Sequence, residues 1–285
     1  MYAIKFFRRE YLMSRFVAAE LCKKFTSVWR SWSYVNDSFA GDFQALEQSG
    51  NLRMDGAFPV IWKTNQKFVI KGTAPSGKIF AYKSYRKIKG VAKYFFRLSP
   101  CGMEAMNFQR ITQCNIPLPK LLAVGDTRKN AVLKTAYLIT EFAEGYSDGR
   151  DFTYLTEFAV KDKNLLNEFI LRNMELLARL HDNNILHRGF TPANLLYQVR
   201  TTPNEQGSQL NLMWIDVASC RKLPRWGLKK SMGIDFEQLF RFFEFSDEEL
   251  LKYLQHYCQS TAKPLQSPEQ LLKELKIRLK KRAEK

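Results

Sequence analysis

An α+β chain in two parts, a small antiparallel sheet followed by a mainly helical region, is what the sequence predicts, and three observations carry that prediction. Short β-rich runs cluster between residues 58 and 83. From Asp162 onward the apolar residues fall at helical spacing. A chain of 285 residues that is 45% hydrophobic and 14% aromatic is long and apolar enough for two lobes with a proper core.

Residues 1–50 read as a basic, aromatic N-terminal extension. Tyr2-Ala3-Ile4-Lys5-Phe6-Phe7-Arg8-Arg9 and Phe25-Thr26-Ser27-Val28-Trp29-Arg30 mix rings with cations. A helix over 9–24 would gather Tyr11, Leu12, Phe16 and Leu21 roughly on one side, with Arg15, Lys23 and Lys24 elsewhere. Such a helix suits either a membrane surface or packing on the domain. Residues 51–142 read as the sheet lobe. Phe58–Trp62, Lys67–Lys71 and Lys78–Lys83 are strands, and Gly72-Thr73-Ala74-Pro75-Ser76-Gly77 is a turn. A helix around Met103–Thr112 stops before Pro117 and Pro119, which cannot continue it. A further strand pair is expected at Leu121–Val124 and Tyr137–Glu141.

Residues 143–285 read as the helical lobe. Asp162 caps a helix through Leu180 whose apolar side is Leu166, Phe169, Ile170, Met174, Leu177 and Leu180. Residues 198–211 read as an exposed hairpin connection, and Asp235–Phe245 as a buried helix. Ser267, Pro268 and Gln270 form the start of a last helix that ends in a run of lysines and arginines.

Charge and cysteines narrow the function. The net charge of +17 and pI near 9.7 point to an anionic partner (nucleic acid, an acidic membrane or a phosphorylated substrate), the alternative being a basic surface that merely keeps the protein soluble. No nucleic-acid motif accompanies the charge. Cys22, Cys101, Cys114, Cys220 and Cys258 are odd in number, widely spaced and without a C-x-x-C pair, which points to a reducing cytoplasm rather than to zinc or a disulfide framework. There is no run of about 18 apolar residues for a membrane span, and the first ten residues lack the apolar core of a secretory signal.

Four residue types then occur in a telling order. Lys83 ends a strand, Glu104 sits in the following helix, Asn194 closes His187-Arg188-Gly189-Phe190-Thr191-Pro192-Ala193-Asn194, and Asp216 follows the apolar strand Leu210–Ile215. Glu104 is also the only acidic residue between Lys83 and Asp126. Phosphoryl transfer asks a protein for positioned phosphates, bound magnesium and an in-line hydroxyl, and this is the ordered set that supplies them in the protein-kinase-like fold. The chain is therefore identified as a two-lobed protein of that type.

The resemblance narrows further. Lys83-Ser84-Tyr85-Arg86-Lys87, Ile116-Pro117-Leu118-Pro119-Lys120-Leu121-Leu122-Ala123, Tyr137-Leu138-Ile139-Thr140-Glu141, Leu180-His181-Asp182-Asn183-Asn184-Ile185-Leu186-His187-Arg188, Trp214-Ile215-Asp216 and Asp235-Phe236-Glu237-Gln238-Leu239 resemble the lipopolysaccharide core kinase family, of the Kdo/WaaP and InaA type, over roughly residues 55–245. The resemblance implies that Lys83, paired with Glu104, holds the phosphates of ATP. Thr140, Glu141 and Phe142 would lie beside adenine, with backbone groups bonding the base. Asn194 and Asp216 would hold Mg2+; His187, a residue type more often a structural hydrogen-bonder than a catalyst, is read as structural in the catalytic-type loop. It implies transfer of the ATP γ-phosphate to a sugar of the lipopolysaccharide core, an anionic glycolipid, by a cytoplasmic protein peripheral on the inner membrane.

There are three departures. The loop Lys63-Thr64-Asn65-Gln66 has no glycine, and Val217-Ala218 stand where Phe-Gly is usual. The third carries more weight: Gly189 occupies the position of the catalytic Asp in H-R-D-x-x-x-x-N. General-base help is worth about 10²–10⁴ in rate, and in a loose transition state the loss falls at the low end. Glycine also permits a positive φ at that point. Thr191 is too weakly basic to substitute, and Asp151 is an open alternative. Two readings follow: a kinase of attenuated or altered base chemistry, or a pseudokinase acting as a nucleotide-binding or scaffold protein.

Overall fold

The computed structural model describes residues 31–86, 94, 97–154, 162–201 and 208–284. The expected helix over 9–24 lies outside them. The chain divides into two compact units, one containing Met1–Gln109 with Lys120–Phe142, the other Arg110–Pro119 with Ala143–Lys285.

The first unit is built on a six-stranded antiparallel sheet. Its strands are β1 (Trp32–Val35), β2 (Val60–Lys63), β3 (Lys67–Thr73), β4 (Ile79–Tyr85), β5 (Leu121–Lys129) and β6 (Val132–Glu141), in the order β1-β5-β6-β4-β3-β2. Period-two burial follows the sequence alternation. Phe68 and Ile70 of β3 and Phe80 and Tyr82 of β4 point to one face, while Lys83 points to the other. Gly72, opposite Phe80 in the register, is needed because a Cβ there would lie 2.5 Å from the Phe80 ring. Helix α1 (Ala40–Ser49) covers the apolar face: Phe39 meets Phe80 at 6.1 Å, and Phe43 stacks on Tyr137 at 5.7 Å. Helix α2 (Pro100–Thr112) begins in this unit and carries buried Cys101, Glu104, Ala105 and Phe108.

This corrects the N-terminal boundary. The described part of residues 1–50 is not an extension but belongs to the sheet unit. β1 pairs with β5 from Trp32 opposite Asp126 to Val35 opposite Ala123, and Phe39, just before α1, joins Phe43 and Leu46 of α1 in the core. The Trp32 indole N–H donates to Asp126 at 2.8 Å. That carboxylate also pairs with Arg128, whose guanidinium reaches the carbonyls of Tyr94 and Arg97.

In the second unit, β9 (Leu195–Thr201) and β10 (Ser208–Trp214) form a hairpin with β7 (Ser147–Asp148) at its edge, and β8 (Ile185–Leu186) pairs with β11 (Arg221–Lys222). The strands extend into the expected 198–211 connection, where Leu210 is buried. Helix α3 (Lys163–Asp182) starts on Asp162, whose carboxylate accepts from the N–H groups of Asn164 and Leu165, and it buries Phe169, Ile170, Met174 and Leu177. Helices α4 (Arg225–Ser231), α5 (Gly233–Phe240), α6 (Asp247–Ser260) and α7 (Pro268–Ala283) follow. α6 packs on α3, and α7 packs on both α5 and α6. α5 ends at Phe240, not at Phe245. Ser246 opens α6 through a full capping box with Glu249, and Phe243 and Phe245 stack on each other at 5.2 Å in the turn between.

Candidate active site

In the first unit, strand alternation turns Lys83 away from the α1 face and toward α2. Its Nζ lies 2.9 Å from both carboxylate oxygens of Glu104. The side chains are 12% and 2% exposed, so the pair sits in a low-dielectric setting where charge-assisted bonds are strong. Cys101, one turn before Glu104, has its thiol pushed well up by burial and by that carboxylate. At the end of β6, the Glu141 N–H donates to the Lys120 carbonyl at 2.9 Å and the Phe142 N–H to the Ile79 carbonyl at 3.1 Å. Both amides are thus engaged with carbonyls of the same unit. The Phe142 ring lies under Lys71 Nζ at 4.3 Å.

In the second unit, the loop after β8 is organised by one buried carboxylate. Asp235, on α5 and 0% exposed, accepts from the backbone N–H of His187 at 2.8 Å and of Arg188 at 2.6 Å. Its Oδ2 also lies 3.2 Å from His181 Nε2, and His181 Nδ1 is 2.9 Å from the Tyr257 hydroxyl. Gln238, one turn on, clamps the next peptides: its oxygen accepts from the Phe190 N–H, and its amide donates to the Arg188 carbonyl. Asp235 and Gln238 fall in a motif quoted from the sequence but had no role there. The available signal was an acid set among Phe236, Leu239 and Phe240, which is anomalous unless it is bonded.

Within this loop, His187 is fully buried between Phe190 and Trp214, with ring centroids at 5.6 and 5.3 Å. Its Nδ1 accepts from the Gly189 N–H at 3.2 Å, which leaves the neutral ring's proton on Nε2, buried with no hydrogen-bond partner among the described residues. Burial holds its pKa below the ordinary value, against the pull of Asp235 and Asp216. Asn194 donates Nδ2 to the Gly189 carbonyl at 2.8 Å, which fixes the amide's orientation, with Oδ1 as its acceptor atom. The Asn194 carbonyl accepts from the Ile215 N–H at 2.9 Å, so the residue before Asp216 is tied to Asn194. Arg188 (φ 60°) and Asp216 (φ 53°) both stand in the left-handed region, a strained placement for residues with side chains.

Gly189 itself is not left-handed, so the backbone reason for a glycine there does not hold. Nor does packing demand it. A Cβ would meet His187 Nδ1 at 3.5 Å and Asn194 Nδ2 and Ser219 Oγ at 3.6 Å, ordinary contact distances. Thr191 serves the loop turn, its N–H donating to the Gly189 carbonyl at 2.8 Å. Asp151 accepts from the Tyr197 hydroxyl at 3.1 Å; burial and that carboxylate push the phenol up to about 12. Among the described residues, no three His, Cys, Asp or Glu side chains group into a metal site.

The model of the lipopolysaccharide kinase (Kdo/WaaP) family matches residues 87–258, more than half of the chain. Among solved structures, WaaP in complex with acyl carrier protein is similar, with a TM-score of 0.62 over 89% of this chain and 98% of that one, at 14% identity. The Rio2 kinase–ADP/Mg2+–phosphoaspartate complex from Chaetomium thermophilum gives 0.49 over 85% and 75%, at 12% identity. No curated protein sequence matches. The similarity to WaaP shows a protein-kinase-like fold: an antiparallel sheet lobe and a helical lobe.

Proposed function

The chain belongs to the lipopolysaccharide kinase (Kdo/WaaP) family, and on that premise we propose that it transfers the γ-phosphoryl group of ATP to a sugar hydroxyl of the lipopolysaccharide core or a related envelope glycolipid. In this reading Lys83, held by Glu104, grips the ATP phosphates, and Glu141 and Phe142 border the adenine. Asn194 Oδ1 and the Asp216 carboxylate would hold magnesium, an ion that suits oxygen ligands of this kind beside substrate phosphates. When bound, magnesium neutralises charge on the phosphates.

The acceptor oxygen bonds to the γ-phosphorus, the bond to the β,γ-bridging oxygen breaks, and ADP leaves. With Gly189 in place of a base, the hydroxyl proton departs late, to the transferred phosphoryl group or to solvent. Positioning by His187, Asn194 and their buried support then supplies most of the rate. The protein works at the cytoplasmic face of the inner membrane, where its positive charge meets an anionic glycolipid.

The observation that carries this reading is the Asn194 amide, turned by the Gly189 carbonyl to offer an oxygen and joined through Ile215 to the strained Asp216. Gly189 favours the second reading, a pseudokinase that binds nucleotide as a switch or scaffold. Calorimetric titration of ATP with and without magnesium, followed by transfer assays on a panel of core acceptors, separates the two. Magnesium-dependent binding with transfer above an Asp216→Ala control supports the kinase; binding without transfer supports the pseudokinase.

A further inference from the structure

Between Asp216 and Asp235 the chain carries Arg221, Lys222, Arg225, Lys229 and Lys230 and no acidic residue. All five are exposed. In their midst Trp226 is 68% exposed, more than any other large apolar side chain among the described residues. This exposure is built into the fold. α4 is anchored by fully buried Leu228, with Met232 just beyond its end. Arg225 donates to the Lys263 carbonyl at 2.9 Å, and Arg278 of α7 reaches the Lys230 carbonyl at 3.5 Å. Lys230 Nζ stands 5.6 Å from the Trp226 ring centroid, which puts an ammonium group beside the exposed indole.

We propose that α4 and the β11 segment before it form the face by which this protein docks on an anionic phospholipid bilayer. An indole among cations is suited to the headgroup layer, where the ring is half dehydrated and each basic residue is attracted by the negative surface potential. Among the described residues no helix is long and apolar enough to cross a membrane, and a docking face of this kind needs none. β11 pairs with β8, Arg221 opposite Leu186, and Leu186 leads directly into His187-Arg188-Gly189. The docking face is therefore joined to the catalytic-type loop within one unit, so a lipid-anchored acceptor in the same bilayer is delivered beside it. This inference rests on the proposed glycolipid kinase and names the surface on which its acceptor is presented.

The test is cosedimentation of the full chain with phosphatidylcholine vesicles, with and without a third of phosphatidylglycerol, together with quenching of tryptophan emission by brominated acyl chains. Binding is expected only with phosphatidylglycerol. Lys229→Gln with Lys230→Gln is expected to weaken it about twenty- to thirtyfold, each cation near an anionic surface contributing roughly fivefold. Trp226→Phe is expected to abolish bromolipid quenching. Unchanged binding in the double variant, quenching that survives in Trp226→Phe, or retention on heparin without vesicle binding each overturns the proposal. Thermal melting and the magnesium–ATP titration of the same variants should match wild type. The titration reports on the kinase site independently, so a failed docking face and a failed kinase site give different results.

Discussion

At Gly189 the side chain is missing although neither backbone nor packing forbids one. Gly189→Ala should fold and be stabilised by about 0.4–1 kcal/mol through the unfolded chain, read by denaturant midpoint; a loss of stability would mean the site is strained after all. Gly189→Asp should fold equally well and raise kcat, at least about tenfold if the absent base limits the rate. Asp235 is the opposite case, a residue whose chemistry the loop cannot do without. Asp235→Asn would turn an N–H donor toward the amides of His187 or Arg188 and break the buried pairing with His181. A destabilisation of about 3–5 kcal/mol is expected, and a change under 1 kcal/mol would refute the role. His187, neutral and buried, titrates below its ordinary value of 6.5. Below that pH the unfolded chain takes up a proton that the fold refuses, so stability should fall as pH drops through about 6.5. His187→Gln should flatten that slope in unfolding measurements across a pH series. The residues of this loop were legible in the sequence because His187, Gly189, Asn194 and Asp216 keep a fixed spacing. Their support was not, because Asp235, Gln238 and Tyr257 act through contacts 47 to 76 residues away in sequence.

Elements with local signals were read well, and those defined by distant partners were not. α7 is announced by Ser267, Pro268 and Gln270, and the structure shows both bonds of that capping box. Ser246 and Glu249 form the same box at α6, with Leu250, Tyr253, Leu254 and Tyr257 buried behind it, yet α6 stands outside the elements expected from sequence. Its signal was present, next to an aromatic run that reads as one longer helix. Ser246→Ala and Ser267→Ala should each cost about 0.5–2 kcal/mol in thermal or denaturant melts; no change in either would mean that packing, not capping, holds these helices. β1 could not be read because a four-residue strand earns its place only by pairing with β5, ninety residues on. Lys83 and Glu104 lie between these extremes. Strand alternation predicts which way Lys83 faces, and the scarcity of acids before Asp126 singles out Glu104.

The whole molecule combines a protein-kinase-like fold with a charge of +17. The charge alone named several anionic partners and no surface. Only the structure shows Trp226 standing exposed in a segment from which acids are missing, with β11 leading back to the catalytic-type loop. The proposed phosphotransferase, acting on an anionic, membrane-held acceptor, would account for both features. In such an enzyme, electrostatics and positioning are asked to do most of the catalysis, and a proton acceptor comparatively little. The most direct measurement is transfer of a radiolabelled γ-phosphate from ATP to a lipopolysaccharide core acceptor, comparing wild type, Gly189→Asp and Asp216→Ala side by side. The expected result is magnesium-dependent transfer by wild type, faster transfer by Gly189→Asp and none by Asp216→Ala. Wild type indistinguishable from Asp216→Ala, with magnesium–ATP bound in the one and lost in the other, would contradict the kinase and leave a nucleotide-binding scaffold.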